Sequence, residues 1–177
     1  MRVIVLGVDG YLGKATAMHL AQDHEVWGVD NYYKRTILTT YKIDPLVETS
    51  LMGIFVNDFH KHFKKAINYS CIDISDENKI ADMIKRVRPD AIIHFAEQPS
   101  APYSMLNADA ARLTLMNNIG ATGNVVLAMK EHCPDAHLIK LGTMGEYGTP
   151  NIDIEEGWLD VEHKGRSHKF LFPRQAG

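Results

Sequence analysis

Cysteine is scarce: the 177 residues hold two, Cys71 and Cys133, far apart in the chain. That spacing fits a reduced, cytoplasmic protein better than a disulfide scaffold. No apolar run approaches the ~18 residues that a bilayer-spanning helix needs, so no membrane helix is expected. No sign of charge dominates either. With 19 Lys and Arg against 22 Asp and Glu, the formal net charge is −3 at pH 7, which gives no electrostatic case for nucleic acid or an anionic membrane surface. Internal repeats and low-complexity segments are absent, and Met1 leads straight into an apolar strand pattern, so no signal or transit peptide is expected before it. What remains, 45% hydrophobic and 23% charged, describes one soluble globular domain with ample core material.

The most informative stretch is the first thirty residues. Arg2-Val3-Ile4-Val5-Leu6 is apolar without alternation, as suits a strand buried on both faces. Gly7, Gly10 and Gly13 follow at GxxGxxG spacing and open a helical pattern, and Glu25 to Asp30 reads as a second strand. This is the strand, glycine turn, helix and strand of a dinucleotide-binding unit, in the spacing variant of extended short-chain dehydrogenase/reductases. Gly7 lets the chain leave the strand sharply, Gly10 lets a diphosphate approach the main chain, and Gly13 lets the helix pack closely. The helix start then offers free amides and a positive dipole end to the diphosphate. Asp30 stands where a carboxylate accepts from both ribose hydroxyls of NAD and repels a 2′-phosphate, although Lys34 and Arg35 just beyond could reverse that preference.

Further along, Asn31 to Ala66 loosens into an excursion with one or two short helices outside the core. His60 and His62 within it would share a face if extended, but with no third ligand they read as solvated histidines on a polar helix, and no metal site is expected. Ile67 to Ile72 reads as strand three. Asp73 after it either accepts the adenine amine or caps the next helix, for which Ser75 is the better candidate. Lys79 to Arg88 completes that helix and Pro89 stops it. Asp90 to Ala96 is strand four, followed by a polar loop, Glu97 to Met105, shaped by Pro99 and Pro102 at the edge where doubly wound sheets bind ligands. A helix from about Ala108 to His132 carries Asn117-Asn118, poor helix formers that suggest tertiary contacts or a kink. Strand five, His137 to Leu141, runs into Gly142-Thr143-Met144-Gly145-Glu146-Tyr147-Gly148. A hairpin with arms Trp158 to Glu162 and Ser167 to Phe172 then turns at His163 to Arg166. The fold class is therefore α/β, a doubly wound parallel sheet of the Rossmann type.

Several stretches together resemble one family, the UDP-sulfoquinovose synthases: Val8 to Gly13, Val29-Asp30-Asn31, His94 to Gln98, Ser100 to Met105, Asn117-Asn118 and Lys140 to Gly157. The resemblance spans nearly the whole chain and is weakest from Thr36 to Ala66. It implies NAD as cofactor, held by Gly7, Asp9, Gly10, Tyr11, Leu12, Gly13, Asp30, Asn31, Lys34, Asp73, Ile74, Phe95, Ala96, Glu97 and Asn118. It implies that Gln98, Tyr103, Thr143, Met144 and Gly145 meet the substrate. The implied reaction oxidises UDP-glucose at C4, eliminates water across C5 and C6, adds sulfite at C6 and returns the hydride.

In that scheme Thr143 hydrogen-bonds the reacting sugar oxygen, and Glu146 is either an acid or base near the sugar or a solvated loop carboxylate. Sulfite or a sulfite-donor protein is the implied partner, and a homodimer the implied state of the full-length protein. On reaction class the resemblance is also read as hydrolase. UDP-sugar 4-epimerase or dehydratase chemistry and a non-catalytic NAD-binding module are the alternatives. Met144-Gly145 after Thr143 disfavours the usual 4,6-dehydratase, which carries an acid pair there. Pro99 departs from the family, which has Arg at that position. The family's Tyr-x-x-x-Lys helix belongs just past Gly177, so residues 1–177 are expected to be the cofactor-binding part of a longer enzyme and inactive alone.

Overall fold

A computed structural model describes residues 1–45, 50–142 and 157–172. The described chain forms two units, Met1–Lys140 and Leu141–Gly177. In the first, strands β1 (Arg2–Leu6), β2 (Glu25–Asp30), β3 (Ile67–Cys71), β4 (Ala91–His94) and β5 (His137–Lys140) form one parallel sheet in the order β3-β2-β1-β4-β5. This is the doubly wound arrangement that the apolar runs and glycine turn predict. The strand order reverses at β1, between β2 and β4, and ligands of such sheets bind at that switch point.

Alternate residues of β1 enter different cores, which is why its sequence is apolar without alternation. Ile4 and Leu6 pack with Ile80, Met83, Ile84 and Val87 of α4 (Glu77–Val87) and with Ala121, Val125, Ala128 and Met129 of α7 (Ala121–His132). Val3 and Val5 pack on the other face with Ala17 of α1 (Tyr11–Leu20) and with Met52 and Phe59 of α3 (Met52–Phe63). The four α4 residues recur at i, i+3, i+4 and i+7, one stripe of a 3.6-residue helix, and Ile80 and Ile84 are fully buried.

Two expectations change. The excursion after β2 does hold two helices, α2 (Tyr33–Thr40) and α3, yet α3 is a core element, since Met52 and Phe59 are 1% and 4% exposed. Its apolar positions are seven apart and fall on one face, a signal hidden among the histidines and lysines of the same segment. His60 and His62 sit exposed in its last turn, in keeping with the reading of solvated histidines on a helix. Asp76, not Ser75, caps α4, accepting from the Lys79 amide at 3.2 Å. Ser75 instead donates its amide and hydroxyl to Asp73 Oδ1 at 2.9 and 2.7 Å.

The long helix is continuous but changes its hydrogen-bond period at its asparagines. It runs as α6 (Ala108–Leu115), a π-helical turn Met116–Gly120 and α7, and the π-turn holds Asn117-Asn118. Before it, Ser100 and Asn107 cap the short helix α5 (Ala101–Ser104) and α6, accepting from the amides of Tyr103 and Ala110. Strand β4 is shorter than its apolar run, and Phe95 continues it with one hydrogen bond from its amide to Leu6 O at 2.9 Å. In the second unit, β6 (Gly157–His163) and β7 (Arg166–Phe172) pair antiparallel. Their two-residue turn, Lys164-Gly165, has φ of +50° and +73°, the positive pair of a type I′ turn.

Candidate functional site

The carboxyl ends of the five strands bring the expected residues to one edge. Gly7 leaves β1 with φ +82°, and its amide and that of Val8 donate to Val29 O of β2 at 2.8 and 3.2 Å. A Cβ on Gly7 would stand 2.8 Å from Ala96 N and from Phe95 C, so the turn is pressed against the end of β4. A Cβ on Gly13 would collide with the Gly7 carbonyl. Close packing of α1 on the turn, not only on the sheet, is what this glycine permits. Gly10 is the N-cap of α1, no side chain caps it, and the first turn carries no acid. Tyr11 is 87% exposed and Leu12 is 43% exposed at that helix start. An uncapped helix N-terminus with glycine at its entry fits a diphosphate: amides and dipole supply the attraction, and no side chain blocks it.

Asp30 ends β2. Its Oδ2 accepts from the Asp9 amide and its Oδ1 from the Tyr32 amide, both at 2.8 Å, which leaves the carboxylate lone-pair capacity for a ligand. Burial pushes its carboxyl above the ordinary range, against these two hydrogen bonds. Asn31 donates to Asp73 Oδ2 at 3.0 Å, tying the tips of β2 and β3 together. Burial works to raise the Asp73 carboxyl, but the Ser75 and Asn31 hydrogen bonds outweigh it and hold it low. The Ile74 side chain is 4% exposed within the core beside α4 and α7. Lys34 is exposed on α2.

Arg35 is the residue that the sequence reading underused. Its Nη2 donates to Asp9 Oδ1 at 2.8 Å and to Ser50 O at 2.9 Å, and its Nε to Asp9 Oδ2. Lys14 Nζ adds contacts to Asp9 Oδ1 at 3.0 Å and Ser50 O at 3.1 Å. The Asp9 side chain is 5% exposed. Burial would raise its carboxyl, yet Arg35 and Lys14 hold it below the ordinary value. No local spacing announces a pair 26 residues apart, so only the fold reveals it.

At the other half of the edge, Asn118 clamps Gln98. Its Oδ1 accepts from the Gln98 amide at 2.9 Å and its Nδ2 donates to the Gln98 carbonyl at 3.0 Å. Asn117 Nδ2 reaches Ala96 O at 3.3 Å. The π-turn therefore aims two amides at the β4 loop, and Asn118, expected at the cofactor, holds the backbone of Gln98. The Gln98 side chain, expected at the substrate, accepts from the Ser100 amide at 2.8 Å and donates to Thr114 Oγ1 at 3.0 Å. Glu97 pairs with Lys140 at 2.7 Å across the ends of β4 and β5, an ion pair rather than an aligned hydrogen bond. Below it His94 is fully buried, with Nε2 3.2 Å from Thr122 Oγ1 and no hydrogen-bond partner for Nδ1 among the described residues. Burial, with Lys140 nearby, pushes its pKa down to about 4. Tyr103 Oη lies 3.2 Å from Tyr33 Oη, joining α5 after β4 to α2 after β2. That hydrogen bond pushes the Tyr103 hydroxyl above its ordinary value, with burial adding to it. Thr143, Met144, Gly145 and Glu146 lie outside the described residues.

Residues 3–162 match the NAD dependent epimerase/dehydratase family. The chain belongs to that family. Among curated proteins, it is 43% identical over 99% of its length to "UDP-sulfoquinovose synthase, chloroplastic" of Spinacia oleracea, of which it covers 36%. It is 41% identical over 100% of its length to "UDP-sulfoquinovose synthase" of Sulfolobus acidocaldarius, of which it covers 46%. The chain thus spans less than half the length of either relative. The resemblance read from the motifs is to these proteins. Among solved structures, UDP-glucose 4-epimerase from Bifidobacterium longum, in complex with NAD+ and UDP, aligns over 96% of this chain and 43% of its own. The TM-score is 0.64 at 20% identity, a likeness of fold.

One expectation is overturned by these relatives. Hydrolase is the wrong reaction class, since the chain belongs to the NAD dependent epimerase/dehydratase family and the curated relatives that it matches are named synthases. No helix among the described residues is long and apolar enough to cross a membrane. The cytoplasmic expectation is not supported by the spinach relative, whose name places that protein in the chloroplast.

Proposed function

We propose that this chain is the cofactor-binding portion of an NAD-dependent enzyme that converts UDP-glucose and sulfite to UDP-sulfoquinovose. The observation that carries the reading is 43% identity to a synthase of that name across 99% of the chain. The glycine turn, the uncapped α1 and Asp30 are the residues that would hold the diphosphate and adenosine ribose. Asn31 and Asp73 would flank the adenine end, and the clamped loop from Phe95 to Gln98 the nicotinamide and sugar end. NAD, when bound, supplies a hydride acceptor for sugar C4 and gives the hydride back. Thr143 would hydrogen-bond the sugar oxygen whose charge changes, and Glu146 would act on protons beside it. Sulfite itself, or a protein that delivers it, is the second reactant, and a homodimer the proposed assembly of the full-length enzyme.

The test is to incubate the full-length protein with NAD, UDP-glucose and sulfite and follow nucleotide sugars by mass spectrometry. A sulfonated UDP-hexose is expected, and none should form without sulfite. UDP-galactose formed with or without sulfite, and no sulfonated product, would transfer the reading to an epimerase.

A further inference from the structure

Asp30 is the residue from which a preference for NAD over NADP is usually argued, yet Arg35 lies five positions later and carries the donor fork suited to a phosphate. The two are held in one cluster. The amide of Asp9 donates to Asp30 Oδ2, while the carboxylate of Asp9 takes both Nε and Nη2 of Arg35 and the ammonium of Lys14. Asp9 is thus the link between the ribose-facing carboxylate and two cations. Its side chain is 5% exposed, and those of Arg35 and Lys14 are 26% and 15% exposed, so this is a packed cluster and not a solvated surface pair. Ser50 O takes a further hydrogen bond from each cation, which fixes their heads from a second side.

Charge within the cluster is balanced: Asp9 and Asp30 against Lys14 and Arg35. A 2′-phosphate placed beside Asp30 would bring about two negative charges while both cations of the cluster are committed to Asp9 and Ser50, leaving exposed Lys34 outside the cluster as the nearby charge in sequence. Neutralising Asp9 changes this. Arg35 and Lys14 would then leave an excess of one positive charge over Asp30, and a guanidinium released from its bidentate partner is the preferred donor for phosphate oxygens.

We propose that Asp9 sets cofactor specificity by sequestering Arg35 and Lys14, so that the loop excludes a 2′-phosphorylated dinucleotide although it contains the cations to bind one. The proposal rests on the dinucleotide-binding reading of the same turn. It treats Asp9 as a positioning residue acting through Arg35.

The experiment measures binding of NAD+ and NADP+ to the protein by calorimetry, for wild type, Asp9→Asn, Arg35→Ala and the double variant. Wild type binds NAD+ and prefers it to NADP+. Asp9→Asn, an isosteric neutral change, shifts the NADP+/NAD+ affinity ratio toward NADP+ by roughly tenfold or more, the worth of one charge-assisted hydrogen bond. Adding Arg35→Ala removes most of that shift. Arg35→Ala alone leaves the ratio near wild type, because the guanidinium is already engaged. Wild type that binds neither dinucleotide sinks the underlying reading of the turn. NAD+ binding by wild type with an unchanged ratio in Asp9→Asn sinks only this proposal, as does a shift that survives loss of Arg35. Should Asp9→Asn fail to fold, a marked loss of residual NADP+ binding in Arg35→Ala alone would still overturn it, since it would show Arg35 available in the wild type.

Discussion

Replacing Asn118 with alanine tests whether the π-turn is a structural clamp. The side chain makes two hydrogen bonds to one residue, accepting from Gln98 N at 2.9 Å and donating to Gln98 O at 3.0 Å. Gln98 is 9% exposed, so both of its backbone groups lose their partners where water reaches them poorly. Each buried backbone group left unmet costs about 1–3 kcal/mol. The alanine cavity admits some water, which places the sum at about 2–4 kcal/mol, a large share of the roughly 5–15 kcal/mol that holds a typical domain folded. At about 2–4 °C per kcal/mol for a chain of this size, the melting temperature falls by about 4–16 °C. Asn118→Asp does no better at neutral pH: it keeps the acceptor for Gln98 N–H but turns an oxygen toward the Gln98 carbonyl. Differential scanning fluorimetry of the three proteins without cofactor reads the effect. A fall of less than 2 °C in Asn118→Ala would refute the clamp and return Asn118 to the role of direct cofactor contact.

Two further outcomes are expected. His94 has a folded pKa of about 4 against an ordinary 6.5, so the unfolded chain binds the proton more readily. Its contribution to stability is complete above about pH 6.5 and is lost as pH falls toward 4, amounting to about 3 kcal/mol over that window. Urea melts across pH 4.5 to 7.5 should show this slope in wild type and a flatter one in His94→Asn; equal slopes would show that the histidine is not the titrating group. Gly7→Ala places a Cβ 2.8 Å from the backbone of Phe95 and Ala96 at φ +82°, and should cost at least about 1–3 kcal/mol. A melt indistinguishable from wild type would contradict the geometry of the turn.

The sheet was legible in the sequence because its strands are buried on both faces and its helices are punctuated. Val3 to Leu6, Ile92 and Ile93 had no polar alternation to confuse them, and Gly7, Gly10, Gly13, Pro89 and the Lys164-Gly165 turn each mark a change of direction with a specific backbone need. The strand-end acids Asp30 and Asp73 could be placed for the same reason. Illegible features depend on pairs distant in sequence. Asp9 with Arg35, Glu97 with Lys140 and Tyr33 with Tyr103 are ordinary charged or aromatic residues until the sheet brings their strand ends together. Helix α3 hides in the sequence because its buried face rests on Met52 and Phe59, seven apart, among polar neighbours. The Ser75 cap failed through competition, since Asp73 offered that hydroxyl and amide a nearer acceptor.

The central position of β1 also bears on how the chain is born. Its five residues pair on one side with β2, about twenty residues later, and on the other with β4, where Val3 meets Ala91. At roughly 5–20 residues per second of synthesis, β1 waits about 4–18 seconds for its second neighbour. During that interval an apolar strand has one open edge, the condition under which unfinished chains pair with each other. Gly7 and the uncapped start of α1 lie at the tip of that strand. The cofactor edge is therefore completed only after the ribosome has passed His94, and nascent chains shorter than this should depend on chaperones to stay soluble.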